Sequence, residues 1–285
     1  MSASTLYDVA GPRGRRRIAV GSAVGVLALA ALLGLAAARL ASKGAFDAEL
    51  WQVLTRGDVQ RLLGRGLVAT LEAAGIAMAL SMALGALLAV GRLSPRGWIA
   101  RPVGAWVELF RGLPLLLLIL FVFLALPQLG IDVPTRVALI IGLTLYNSAV
   151  LGEIFRAGIL SLPRGQNEAG MAIGLGRGQA LRLILLPQAV RRMLPALVSQ
   201  LVTLLKDTSL GFVIGYTELL RNGRTGVEFL GGKYSIPIYT GIAVVYIAVN
   251  AGLSYTARLL DRSTRRRYGP AAGSTVQISA VDEAA

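Results

Sequence analysis

The stretches between charged residues decide what this chain can fold into. Residues 18–38 form 21 consecutive uncharged positions, 73–91 form 19, 112–131 form 20 and 234–257 form 24. A helix rises 1.5 Å per residue, so about 20 residues cross a hydrocarbon core of roughly 30 Å. Residues 137–152 add 16, enough to span with their flanks. Residues 193–205 run through Lys206 and Asp207 into 208–217, a sixth helix with charges inside it. No short alternating strand pattern appears, and backbone groups in lipid must pair internally, so the spans are helices. The expected fold is an all-α membrane protein of about six transmembrane helices.

Composition excludes other classes. Only 15% of the 285 residues are charged and 55% are hydrophobic, whereas soluble domains carry roughly 25% charged residues. With no cysteine and no histidine, disulfides, thiol chemistry and most zinc or haem sites are excluded, and no metal site is expected. Nor is there a convergent nucleophile and base, which speaks against a membrane enzyme. The net charge of +14 would suggest nucleic acid in a soluble chain. Here the arginines cluster at the ends of apolar runs, so the charge reads as topology on a lipid bilayer, with no nucleic-acid partner.

With the N-terminus in the cytoplasm, basic residues at cytoplasmic ends outnumber those outside about two to one, and both termini lie inside. Arg13, Arg15, Arg16 and Arg17 precede the first run, and Arg92, Arg96, Arg101 and Arg111 surround the second cytoplasmic turn. The first run, 21 residues long, exceeds the roughly 7–15 residues of a signal-peptide core, so it reads as a retained anchor.

On this topology residues 160–187 form a long cytoplasmic loop carrying "NEAGMAIGLGRGQALRLILLP" (167–187). Residues 168–173 read as a short helix capped by Asn167, with Glu168 in its first turn against the helix dipole. Gly174, Gly176 and Gly178 break it, and Pro187 opens the next span. Ala169, Ala172 and Ile173 give this helix a mixed apolar face suited to a groove in a soluble partner.

Ionisable residues inside spans are costly and face a cavity or each other. Glu108 with Arg111, and Glu153 with Arg156, are each three residues apart and can meet on one helix face. They are candidates for a cytoplasmic gate or for local ion pairs. Lys206 and Asp207 are adjacent and share no face, so they need partners on other helices, a bend or a wet cavity. Asn147 and Glu72 are further polar positions within spans, Glu72 near the outer end.

The loop resembles the signature of ABC-importer permeases: Glu-Ala-Ala, three residues, Gly, nine residues, Ile-x-Leu-Pro. Here it reads Glu168-Ala169-Gly170, Gly174, then Ile184 to Pro187, with Gly170 in place of the second alanine. "ELFRGLPLLL" (108–117), "GEIFRAGILSLPRGQNEA" (152–169), "LLPQA" (185–189) and "LLKDTSLGFVIGYTELL" (204–220) narrow the resemblance to the polar amino-acid permeases of the histidine, glutamine and glutamate type. "LYDVAGPRGRRR" (6–17) looks like the permeases of actinobacterial glutamate importers.

The resemblance implies a five-helix type I permease core over 66–260, with the coupling loop at 160–187. An extra helix at 18–40 precedes it, flanked by cytoplasmic tails at 1–17 and 261–285. It implies that Glu168, Ala169, Gly170, Gly174 and Pro187 couple the chain to a separate ATP-binding subunit. An extracytoplasmic amino-acid-binding protein would deliver substrate, glutamate by family likeness, and a second permease, the same or related, would complete the pore. Asn147, Lys206, Asp207, Thr208 and Ser209 are the pathway candidates. The chain itself supports this division of labour. A phosphate-cradling loop needs Gly-Lys followed by Ser or Thr, and the lone Gly-Lys pair, Gly232-Lys233, is followed by Tyr234. ATP and magnesium are therefore expected on the partner, and no cofactor on this chain. The competing reading is an ion-coupled carrier. Such carriers pair two matching broken helices, and the sequence shows one polar break, at 206–209, and no second copy.

Overall fold

A computed structural model describes residues 11–268. Residues 1–10 of the basic tail and 269–285 of the C-terminal tail lie outside the described residues. The elements are α1 (Pro12–Ser42), α2 (Ala48–Trp51) with a following 3-10 turn (Gln52–Thr55), α3 (Gly57–Arg92), α4 (Gly97–Gly112) and α5 (Leu115–Gln128). They continue with α6 (Thr135–Leu160), α7 (Arg164–Ala172), α8 (Arg177–Ala180), a π-helical segment (Leu181–Leu185) and α9 (Leu186–Asp207). A 3-10 stretch (Thr208–Ile214), α10 (Leu219–Leu230), a 3-10 turn (Gly232–Tyr234) and α11 (Ser235–Tyr268) complete the described residues. Among the described residues, five helices are long and apolar enough to cross a bilayer, six if α4 and α5 make one bent span.

The centre is α6, packed against α3, α5 and α9. One face of α3 carries Gly66, Thr70, Ala73, Ala77, Ser81, Gly85 and Ala89, all buried. Small residues at this spacing let helix backbones approach where lipid offers no hydrophobic drive. At the α3–α6 crossing a Cβ on Gly85 would stand 3.0 Å from the Ser148 carbonyl and 3.1 Å from the Gly152 nitrogen. Gly75, Gly25 and Gly34 meet nothing within 4 Å, so of these glycines only Gly85 serves close packing within the chain. Ile119, Leu139, Leu143, Leu151 and Leu204 fill the main core.

A second core lies at the other end of α3, where Val53 and Val59 pack with Leu219, Ile238 and Ile242. The packed body thus reaches back to the turn that precedes α3. By contrast α1 is exposed along its whole length, an apolar surface that only lipid or another protein can cover.

Four stretches differ from the sequence expectation. The span expected over 112–131 is helical only from Leu115 to Gln128, and it meets α4 at a 99° bend. Leu113 is extended, as residues before a proline are, and Pro114 starts the new helix. The stretch 97–112, read as loop and span edge, is an amphipathic helix whose Gly104 and Val107 face inward and whose Trp98 is largely exposed. The sixth span also ends earlier than expected. Regular helix stops at Asp207, tightens to 3-10 and is closed by Gly215 at φ +80. Residues 219–230, which lie between the expected spans, form α10, with Leu219, Gly223 and Gly226 packed inward.

Candidate functional site

Three clusters gather the candidate residues. The first is the loop. Helix α7 begins at Arg164, with Pro163 at its N-cap. Proline's fixed φ suits a helix start, so the helix opens four residues earlier than expected. Asn167 is therefore inside it rather than its cap, and Glu168 lies beyond the first turn, which holds no acidic residue. Gly174 at φ +88 closes α7. Its N–H donates to the Met171 carbonyl (3.0 Å) and the Leu175 N–H to that of Gly170 (3.2 Å). These are the two bonds of a Schellman stop, whose left-handed residue is normally glycine.

Gly170 is buried, and a Cβ there would sit 2.9 Å from Ile184 Cδ1 and 3.3 Å from the Ala180 Cβ. That contact folds α7 back onto α8 and the π segment. Pro187 does not open a span. It lies inside one continuous helical stretch, in the first turn of α9. Its missing N–H cannot reach the Leu183 carbonyl, and the turn before it widens to π geometry, with the Leu186 N–H donating to Leu181. Such π turns recur at functional sites.

Gln188 donates to Gln166 (3.0 Å) and Arg192 to the Ser161 carbonyl (2.6 Å), tying the loop to α9. Facing out are Glu168, Ala169, Ala172, Met171 and Ile173, the last 76% exposed. Together they make an exposed apolar ridge with one carboxylate, the kind of patch that marks a contact with another protein or with a membrane surface.

The second cluster is ionic. Glu153 pairs with Arg156 as the spacing foretold, the guanidinium Nε lying 3.0 and 3.1 Å from the two carboxylate oxygens. Glu108 does not pair with Arg111. Its partner is Arg92, at 3.6 Å, and the same guanidinium stands 3.5 Å from Glu153. Arg92, at the end of α3, thus bridges α4 and α6. Sequence spacing shows which residues share a helix face, and it cannot show which neighbouring helix that face meets. On the opposite end Glu72 pairs with Arg136 at 3.1 Å, both half exposed.

The third cluster lies on α9. Its exposed positions include Arg192, Ala196, Ser199, Thr203 and Lys206, spaced three or four apart on one face. A polar stripe along a membrane helix faces water or protein rather than lipid. Ser199 and Thr203 went unnoticed in the sequence, although their spacing from Lys206 was there to read. The stripe ends in a cleft of about 540 Å³ between α9 and α11, lined by Lys206, Ser209, Tyr246, Asn250 and Ser254 together with Val202. Among the described residues, Lys206 and Asp207 join no ion pair.

Thr208 and Ser209 donate to the carbonyls of Leu205 and Lys206, both at 2.7 Å. Their protons serve the tightening of the helix, which leaves only lone pairs free. Asn147 is fully buried away from the cleft. It donates to Leu143 (2.8 Å) and accepts from Gln200 (2.7 Å), joining α6 to α9. The structure therefore gathers Lys206 and Ser209 at the cleft and leaves Asn147, Asp207 and Thr208 off its lining.

Residues 75–266 match the family described as binding-protein-dependent transport system inner membrane component. The chain is 42% identical over 197 residues to a probable glutamine ABC transporter permease of Bacillus subtilis, covering 69% of this chain and 90% of that one. It is 36% identical over 230 residues to the glutamate transport system permease protein GluD of Corynebacterium glutamicum, covering 79% and 84%. Its fold superposes on the crystal structure of an amino acid ABC transporter with histidines at a TM-score of 0.69 and 30% identity, over 74% of this chain and 97% of that one.

Proposed function

The chain belongs to the inner membrane components of binding-protein-dependent transport systems, and we propose that it is the permease of an importer for polar amino acids with glutamate as substrate. Members of the family are transport subunits of the plasma membrane, and a separate subunit hydrolyses ATP. That membership replaces the ion-coupled carrier reading. We place ATP and magnesium on the partner and the substrate-binding protein on the face away from α7. A second permease covers the polar face of α9.

The arginine-rich end, with Arg92, Arg111, Arg156 and Arg192, faces the cytoplasm by the positive-inside rule. Both termini lie on that side. The observation that carries the substrate reading is Lys206, an exposed ammonium at the end of the α9 stripe. Glutamate brings two carboxylates and one ammonium, and the Lys206 ammonium offers three donors to a carboxylate. The likeness to the glutamate permease of Corynebacterium glutamicum supports the same substrate.

Proteoliposomes holding the permease, its ATP-binding subunit and the amino-acid-binding protein should accumulate radiolabelled glutamate. Uptake should need both ATP and the binding protein, and excess glutamine should compete weakly. Uptake without either requirement, or uptake blocked by glutamine and not by glutamate, contradicts the reading.

A further inference from the structure

Glu218 is the only acidic side chain with no exposed surface among the described residues. It precedes α10, where its carboxylate accepts from the Leu220 N–H and the Arg221 N–H, each at 2.8 Å. A third donor is the Tyr246 hydroxyl on α11, at 3.1 Å. These donors are all neutral. Burial raises the Glu218 carboxyl above its ordinary range, and the three hydrogen bonds oppose that rise. Together with the positive end of α10, they form the environment that an ionised carboxylate needs away from water.

The surroundings are equally fixed. The Leu219 N–H donates to Thr70 on α3 at 3.1 Å, and the Tyr216 hydroxyl donates to the Ala69 carbonyl at 2.9 Å. A Cβ on Gly66 would stand 2.8 Å from the Leu219 Cα, so α10 starts hard against α3. Tyr246 faces two ways: its hydroxyl meets Glu218, and the residue forms part of the wall of the Lys206 cleft.

The outward face of α10 presents Arg224, Thr225, Glu228 and Phe229, the last 85% exposed. It lies at the end of α3 opposite the α7 loop, about 40 Å away by helical rise from Gly66 to Arg92. One buried carboxylate thus joins an exposed helix on that face to the wall of the cleft.

We propose that Glu218 is a positioning residue for transport: it fixes the start of α10 and the Tyr246 hydroxyl to one buried point, so the Tyr246 wall of the Lys206 cleft shifts only with α10. This rests on the importer reading, in which α10 lies on the binding-protein face. In that setting, pressure on α10 from a docked partner reaches the cleft through a single hydrogen-bonded joint.

The test uses the whole transporter in proteoliposomes with glutamate-loaded binding protein. Glu218→Gln should assemble at the wild-type level and keep the unstimulated ATPase rate, while stimulation by the loaded binding protein falls at least fivefold. Tyr246→Phe, which removes only the hydroxyl, should lose as much stimulation. The double variant should lose no more than either single one, because both remove the same joint. Wild-type stimulation in both single variants overturns the proposal, as do additive losses. So does a fall in assembly that tracks the fall in stimulation, the mark of a merely structural role. If the wild-type complex itself is not stimulated, the importer reading fails and the positioning role falls with it.

Discussion

Gly174→Trp should leave the permease inserted and assembled with its partners, yet cut glutamate uptake at least tenfold and uncouple it from ATP hydrolysis. Two effects act together. Gly174 sits at φ +88, where a residue bearing a Cβ costs about 1–2 kcal/mol. Nothing within 4 Å limits a side chain there, so an indole projects into the space assigned to the ATP-binding subunit. Tenfold in rate corresponds to about 1.4 kcal/mol on the barrier to the coupled step. Gly174→Asn separates the two causes, because asparagine tolerates the left-handed region and adds little bulk. It should keep most of the uptake. Glu168→Lys, on the exposed ridge, should uncouple as well, since it reverses a charge without disturbing any packing. Normal uptake by an assembled Gly174→Trp complex rules out docking through this loop.

The second large effect is expected at Lys206. Lys206→Met removes an exposed ammonium that pairs with no carboxylate among the described residues, so the fold should persist. Hydrogen bonds to charged groups are worth about 1.5–3 kcal/mol, and uptake should fall at least tenfold. ATPase activity stimulated by the loaded binding protein should survive. Loss of assembly would instead give Lys206 a structural part against the second permease. Unchanged rate and selectivity would remove it from the pathway altogether.

What the residue string disclosed follows from which forces are local. The spans were legible because hydrophobic length is a property of consecutive residues. The Glu153–Arg156 pair was legible because helical spacing alone brings it together. So was the stop at Gly174, whose conformation few residues other than glycine adopt. Helix α4 escaped because Arg101, Pro102 and Arg111 interrupt its apolar pattern, and α10 escaped because its inward face is mostly glycine. Arg92 was visible only as one of many basic residues. Its meeting with Glu108 and Glu153 depends on how three helices cross. The bond between Glu218 and Tyr246 joins residues 28 apart in sequence, and no periodicity announces it. Pro187 was read as a beginning because proline favours helix starts. The π turn before it lets the helix continue.

The central claim is that α7 is the contact with the ATP-binding subunit, and the absence of cysteine from the chain allows a clean measurement. Ala169→Cys, on the exposed ridge, and Phe229→Cys, on α10, each introduce a single thiol. Both variants are to be assembled with all partners and treated with a short thiol-to-amine cross-linker, and the products identified by mass spectrometry. The account predicts cross-links to the ATP-binding subunit from position 169 and none from position 229. Cross-links to that subunit from position 229, with none from position 169, contradict it.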